Sequence, residues 1–216
     1  PTKLQSIRQY RECGQSYTFN KNILLILNQD SRFILRNKFI NSDNFLRIID
    51  EQVLLYKSLG LKTQSNIVLR YPISDYGWGL RNIWMKASNN KIKTDDNSQI
   101  IDSFLDARLV ITNCLSTTWL EVLYLNIPLV LCFTDKDGFE YTDDGALVVS
   151  ALKEAKILHD NPADAAQFIE HVYDDIEAWW QSDLVKKSVK ICLDLLVTNR
   201  EKDLNSWCNE LSRWKV

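Results

Sequence analysis

Four short runs of consecutive apolar residues set the terms for this chain: Ile23–Asn28 (ILLILN), Asn66–Tyr71 (NIVLRY), Arg108–Asn113 (RLVITN) and Pro128–Phe133 (PLVLCF). A strand with one face in water alternates apolar and polar residues. A run without alternation needs cover on both faces, which is the condition of a strand inside a parallel sheet. The cover is written between the runs. Asp43–Leu59 carries Phe45, Ile48, Ile49, Leu55 and Tyr56 at helical spacing, with Asp43 as a capping residue and Gly60 as the stop. Further helices are predicted over 99–107, 116–126 and 146–155. A short strand is predicted over Lys156–His159. Asn161-Pro162 then opens a long helix running to Trp180, since Asn caps and Pro fits the first turn. Two more helices, 184–198 and 201–214, close the chain. Ile73–Ser98, with Gly77, Gly79 and a polar stretch, reads as loop.

Strands alternating with helices predict an α/β fold, a Rossmann-like parallel sheet with helices on both faces and right-handed crossovers. The divisions expected are a connector over 1–21, the Rossmann-like domain over 22–180, and C-terminal helices over 181–216 packing on it. In such sheets ligands bind beyond the carboxyl ends of the strands. Four loops therefore matter: Gln29–Arg36, Tyr71–Arg81, Asn113–Thr118 and Thr134–Asp144.

Composition removes several function classes. The net charge is −2, with no region basic enough to neutralise a nucleic-acid backbone. The five cysteines form no C-x-x-C pair and only two histidines are present, so zinc-ligand spacing is absent. Reduced thiols fit a cytoplasmic setting. No apolar run approaches the roughly 20 residues that span a bilayer, and no signal peptide is visible. Neither G-x-x-x-x-G-K-[ST] nor G-x-G-x-x-G occurs, which argues against a P-loop ATPase or an ordinary dinucleotide-binding domain. No G-x-S-x-G elbow is present. His159, His171 and the Trp179-Trp180 pair read as structural. The chain opens on Pro1 and its single methionine is Met85, so a piece of a longer protein is expected.

The sharpest candidate for chemistry is the turn after the third run, Asn113-Cys114-Leu115-Ser116-Thr117-Thr118, with Glu121 one turn on. Free amides and the positive end of a helix dipole favour an anion there, and three hydroxyl groups add donors. Glu121 could accept from a ribose hydroxyl. A capping box, Thr118-x-x-Glu121, accounts for the same residues without a ligand. The second candidate is Arg70-Tyr71-Pro72-Ile73-Ser74-Asp75-Tyr76-Gly77-Trp78. Arg70 could fork onto a phosphate or carboxylate, and Tyr71, Tyr76 or Trp78 could stack on a base or sugar. The plain alternative pairs Arg70 with Asp75 and packs the aromatics within the loop. Arg32, Arg36 and Arg81 could neutralise an anionic donor. Glu140, beyond Asp135-Lys136-Asp137-Gly138-Phe139, could meet a ribose or sugar, although a solvated turn explains it better. That loop lacks the ligand series of a calcium site.

The run Ala107 to Val130, with Ser116-Thr117-Thr118-x-x-Glu121 and Asn126-Ile127-Pro128, resembles the nucleotide-binding segment of GT-B glycosyltransferases. Arg70-Tyr71-Pro72, Asp75-Tyr76-Gly77-Trp78, the Ala163–Ala166 helix start, and Asp174-Asp175-Ile176 before Trp179-Trp180 follow in order. Together they are similar to a bacterial family of surface-carbohydrate transferases related to the β-Kdo transferases of capsule and O-antigen assembly. Ile73-Ser74 and Asp137-Gly138-Phe139-Glu140-Tyr141 depart from that family's pattern.

The resemblance implies two Rossmann-like domains, of which this chain supplies the C-terminal one. It implies Ser116, Thr117 and Thr118 at the donor phosphate, with Asn113 and Arg70 beside them, and Glu121 at the ribose. Arg32, Tyr71, Asp75, Trp78, Arg81 and Glu140 become candidate donor or sugar contacts. The implied substrates are a nucleotide-activated acidic sugar such as CMP-Kdo and a glycan acceptor. No cofactor and no essential metal are implied, and no catalytic acid, base or nucleophile is assigned, since those come largely from the N-terminal domain. The expected partners are that missing N-terminal domain and, at most, a peripheral contact with the inner membrane. Two other functions compete: a non-catalytic or truncated Rossmann scaffold, and a polyol-phosphate transferase of the CDP-glycerol type.

Overall fold

The computed structural model describes residues 22–27, 42–113, 117–133, 140–197 and 211–213. In chain order the elements are β1 (Ile23–Ile26), α1 (Ser42–Ser58), α2 (Leu61–Gln64), β2 (Ile67–Arg70), α3 (Leu80–Ala87), β3 (Lys93–Thr94), α4 (Ile100–Leu105) and β4 (Leu109–Thr112). They continue with α5 (Thr117–Tyr124), β5 (Leu129–Cys132), α6 (Asp143–Glu154), β6 (Leu158–His159), α7 (Pro162–Val172), a 3-10 turn (Tyr173–Asp175), α8 (Ile176–Trp180) and α9 (Asp183–Leu196).

The six strands form one sheet in the order β3-β2-β1-β4-β5-β6, and every pairing is parallel. The fold is thus α/β and Rossmann-like. The chain winds outward from β1 through β2 to β3, then returns to the other side of β1 with β4. The order reverses between β1 and β4, the kind of switch point at whose carboxyl side ligands of such sheets bind.

The unbroken apolar runs follow from this placement. Ile23, Leu25, Ile67, Leu69, Ile111 and Val130 point to one face, under Leu55 and Tyr56 of α1, Leu59 just beyond it, Trp84 of α3 and Ala165 and Ile169 of α7. Leu24, Ile26, Val110, Leu129 and Leu131 point to the other, under Phe104 of α4, Trp119 and Val122 of α5, Leu152 of α6 and Val185 and Cys192 of α9. Both sides of each central strand are therefore dry, and a polar residue on either would be buried.

Two predicted segments differ from what the structure shows. The stretch read as loop over 73–98 contains α3 and the short strand β3. The helix start escapes a reading of neighbours because its capping carboxylate sits upstream: Asp75 accepts from the Gly79 amide at 2.8 Å and the Leu80 amide at 3.0 Å. Gly79 itself is left-handed, at φ 67°. The single helix predicted from Asn161 to Trp180 is divided. Asp175 leaves helical geometry and its side chain caps α8 through the Ala178 amide at 3.1 Å, which makes a new start where an uninterrupted helix was expected. Of the last predicted helix, only 211–213 lie within the described residues, and these are helical.

The aromatic pair before α9 packs, as the sequence indicates. Trp180 is buried and its indole donates to the Asn126 carbonyl at 3.1 Å, while the Trp179 indole donates to the Ala155 carbonyl at 3.1 Å. Each ring thereby holds the turn that feeds an adjacent strand. Asn126 is itself left-handed at φ 58°, a conformation asparagine tolerates.

Candidate functional site at the ends of β1, β2 and β4

α1 is joined to the carboxyl ends of β1 and β4. Gln52 of α1 is buried at 4% exposure. Its amide donates to the Ile26 carbonyl at 3.2 Å and to Asn113 Oδ1 at 2.7 Å. Asn113 in turn donates from Nδ2 to the Ile48 carbonyl at 3.1 Å. The two side chains form a clip that ties the last turn of β1, the end of β4 and α1 together. Both ends of the Asn113 amide are thus engaged inside the protein, just before the segment 114–116.

That segment leads to α5. Ser116 lies outside the described residues. Thr117, the first residue of α5, is exposed, and Thr118 is half-buried. Glu121, further along α5, is buried at 3% exposure. On α1, Arg47 and Glu51 pair at 3.3 Å and are both partly buried. Glu51 joins Gln52, Asn113 and Cys132 around a small cavity of about 10 Å3. Cys132 is no nucleophile in this setting. Burial, reinforced by the negative charges of Glu51, Asp160 and Asp164, pushes its thiol up to about 12.

The end of β2 is built differently. Arg70 does not pair with Asp75. Its guanidinium meets the Asp95 carboxylate at 2.5 Å, the Ser103 hydroxyl at 2.8 Å and the Asn97 carbonyl at 2.9 Å. Ser103 also donates to Asp95 at 2.6 Å. Asp95 follows β3 and Ser103 belongs to α4, so the cluster fastens the sheet edge. The Asp95 side chain is only 6% exposed and that of Arg70 18%, which makes this a largely desolvated pair.

The loop beyond Arg70 stands out from the sheet. Trp78 packs on Phe45 of α1, with ring centres 4.6 Å apart. Asp75 is spent on capping α3. The Arg81 guanidinium lies 4.8 Å from the centre of the Tyr71 ring. Burial raises the Tyr71 hydroxyl pKa, against the lowering influence of Arg81. Tyr71, Pro72, Ile73, Asp75 and Arg81 border an open groove of about 450 Å3.

Of the remaining sequence candidates, Arg32 and Arg36 lie outside the described residues, as does 134–139. Glu140, the first described residue after that loop, is exposed. His159 is buried at the end of β6. Its Nε2 donates to the Lys156 carbonyl at 2.9 Å and its ring packs on Phe168, with centres 5.0 Å apart. Burial lowers its pKa, outweighing the opposing hydrogen bond. Among the described residues no cluster of three or more His, Cys, Asp or Glu could hold a metal ion. No helix among them is long and apolar enough to cross a membrane.

Sequence reasoning missed Gln52, Asp95 and Ser103. Gln52 had a readable signal, because it falls in register with Phe45, Ile49, Tyr56 and Leu59 on the apolar stripe of α1, where a polar residue needs an internal partner. Asp95 and Ser103 had none, since their partner Arg70 is distant in sequence.

No curated protein sequence matches the chain. Among solved structures, it is similar to a variant of the wall teichoic acid polymerase TagF at a TM-score of 0.45 and 16% identity, covering 97% of this chain and 47% of that one. A second TagF variant gives a TM-score of 0.38 and 17% identity over 90% of this chain and 48% of the other. The chain therefore spans about half the length of those structures. The family described as LIC12162 family transferase matches residues 4–211, nearly the whole sequence, and the chain belongs to that family.

Proposed function

We propose that this chain is the nucleotide-sugar-binding half of a GT-B-type glycosyltransferase, acting in the synthesis of a bacterial surface polysaccharide. The observation that carries the reading is the course of the chain at the switch point. At the carboxyl edge of a fully parallel sheet, β4, clipped to α1 through Asn113 and Gln52, is followed by α5, which opens on Thr117 and Thr118, directly after Ser116 in sequence. Membership of a transferase family supplies the reaction class.

The chemistry asked of the site is charge stabilisation. In glycosyl transfer from a nucleotide donor, the sugar–phosphate bond breaks and negative charge gathers on the departing phosphate. Amide and hydroxyl donors at the start of α5 would meet that charge without having to reorganise. Each well-aimed donor contributes about 3 kcal/mol to lowering such a barrier. The donor we favour is a nucleotide-activated acidic sugar of the CMP-Kdo kind, bound without an essential metal. A preceding Rossmann-like domain would supply the acceptor side and the catalytic acid or base.

Calorimetry with CMP tests the reading. The wild-type chain should bind it, and the double substitution Ser116→Ala with Thr117→Ala should weaken binding at least tenfold while the thermal transition stays in place. Equal affinity in the two proteins would refute the phosphate role.

A further inference from the structure

The groove beside β2 has features that the switch-point reading does not use. Its loop is held in a costly shape. Tyr76 is left-handed at φ 51° without being glycine, Gly77 and Gly79 follow at 86° and 67°, and Asp75 grips two amides to keep them there. Strain of this kind persists only where the surroundings enforce it, and it concentrates at ligand clamps. Trp78, wedged on Phe45, anchors the loop from below. The result is a preorganised wall on an exposed strand end.

The charge in the groove is unbalanced in a particular way. Both Asp75 carboxylate oxygens are occupied by backbone amides. Arg81 is exposed, makes no ion pair among the described residues, and is oriented by the face of Tyr71. A guanidinium held by its face against a ring keeps its edge donors for an oxyanion. Ile73, wholly exposed on the rim, offers an apolar surface beside it. The groove volume of about 450 Å3 lies within the range of small-molecule sites. β2 is two strands from β4, about 10 Å at the usual strand spacing, so the groove is separate from the head of α5.

We infer that this groove is a second subsite, one that takes a sugar bearing a carboxylate or phosphate group, with the anion on Arg81 and the sugar ring along Ile73 and the edge of Tyr71. Glucuronate, glucose 6-phosphate and glucose, titrated into 15N-labelled protein without nucleotide, test it. Both anionic sugars should move the Arg81 Nε–H signal and the 72–82 amides to saturation, at least tenfold more tightly than glucose. Arg81→Gln should lose at least tenfold in affinity for both with an otherwise unchanged spectrum, and Arg81→Lys should lose less. Absence of saturable shifts in the wild type, equal binding of glucose, or undiminished binding by Arg81→Gln would overturn the assignment. The titration needs no nucleotide, so a chain that fails to bind CMP can still pass it.

Discussion

β2 and β4 both end in polar residues at the edge where ligands of such sheets bind, yet the two ends are secured by different physics. At β2 the fastening is ionic: Arg70 is locked to Asp95, and the Ser103 hydroxyl and the Asn97 carbonyl accept from the same guanidinium nitrogen. At β4 it is neutral: two amides, Asn113 and Gln52, satisfy each other and two backbone carbonyls. In each case the polar residue at the strand end is architecture, and under the proposed function the groups that would meet a ligand come later in the chain, Arg81 beside one end and the start of α5 beyond the other. A charged residue at a strand end is therefore a poor guide to the ligand site until its partner is known.

Breaking the ionic end should cost most. Arg70→Ala leaves the buried Asp95 carboxylate without its counter-charge, and the loss should be roughly 3 kcal/mol in urea unfolding. Replacing both Arg70 and Asp95 by alanine should cost less than the two single substitutions summed. Affinity for CMP should hardly move, because the cluster is two strands from β4. The neutral end should cost less to break. Gln52→Ala deprives Asn113 Oδ1 and the Ile26 carbonyl of a shared donor, for about 1–2 kcal/mol. Gln52→Glu should be worse at neutral pH, since a carboxylate would face two acceptors, and should recover part of the loss when acid protonates it.

The third polar strand end, His159 of β6, sharpens the contrast by titrating. Burial holds its folded pKa below the ordinary value, so the native state keeps it neutral where the unfolded chain takes up a proton. Its effect is absent above the unfolded pKa of about 6.5 and grows unfavourable as pH falls from there toward the folded pKa. Stability measured across that window should drop with acid in the wild type and drop less in His159→Phe. This should be the smallest of the effects.

The architecture was open to reading because a dry parallel strand admits no alternation: 23–26, 109–112 and 129–132 are buried throughout, while 67–70, next to the short edge strand β3, alternates buried and half-buried residues. Local capping chemistry was legible where cap and helix adjoin, as at Asn161, which accepts from the Asp164 amide at 2.8 Å. It was not legible at α3, whose cap, Asp75, acts across a left-handed loop. The hydroxyl-rich turn after β4 was visible because its residues are consecutive. The identity of Arg70's partner was not, because Asp95 is brought to it by pairing of β3 with β2, which no local pattern encodes. Arg81 appeared as one loop arginine among several. Its contact with Tyr71 and, among the described residues, the absence of an ion pair appear only in the structure.

The central claim concerns where an anion sits, and the most direct measurement is a crystal structure of the chain soaked with CMP. The account predicts the phosphate at the head of α5, within hydrogen-bond distance of the amides or hydroxyls of Thr117 and Thr118. A phosphate seated elsewhere, with the start of α5 bare at full occupancy of the nucleotide, would contradict it.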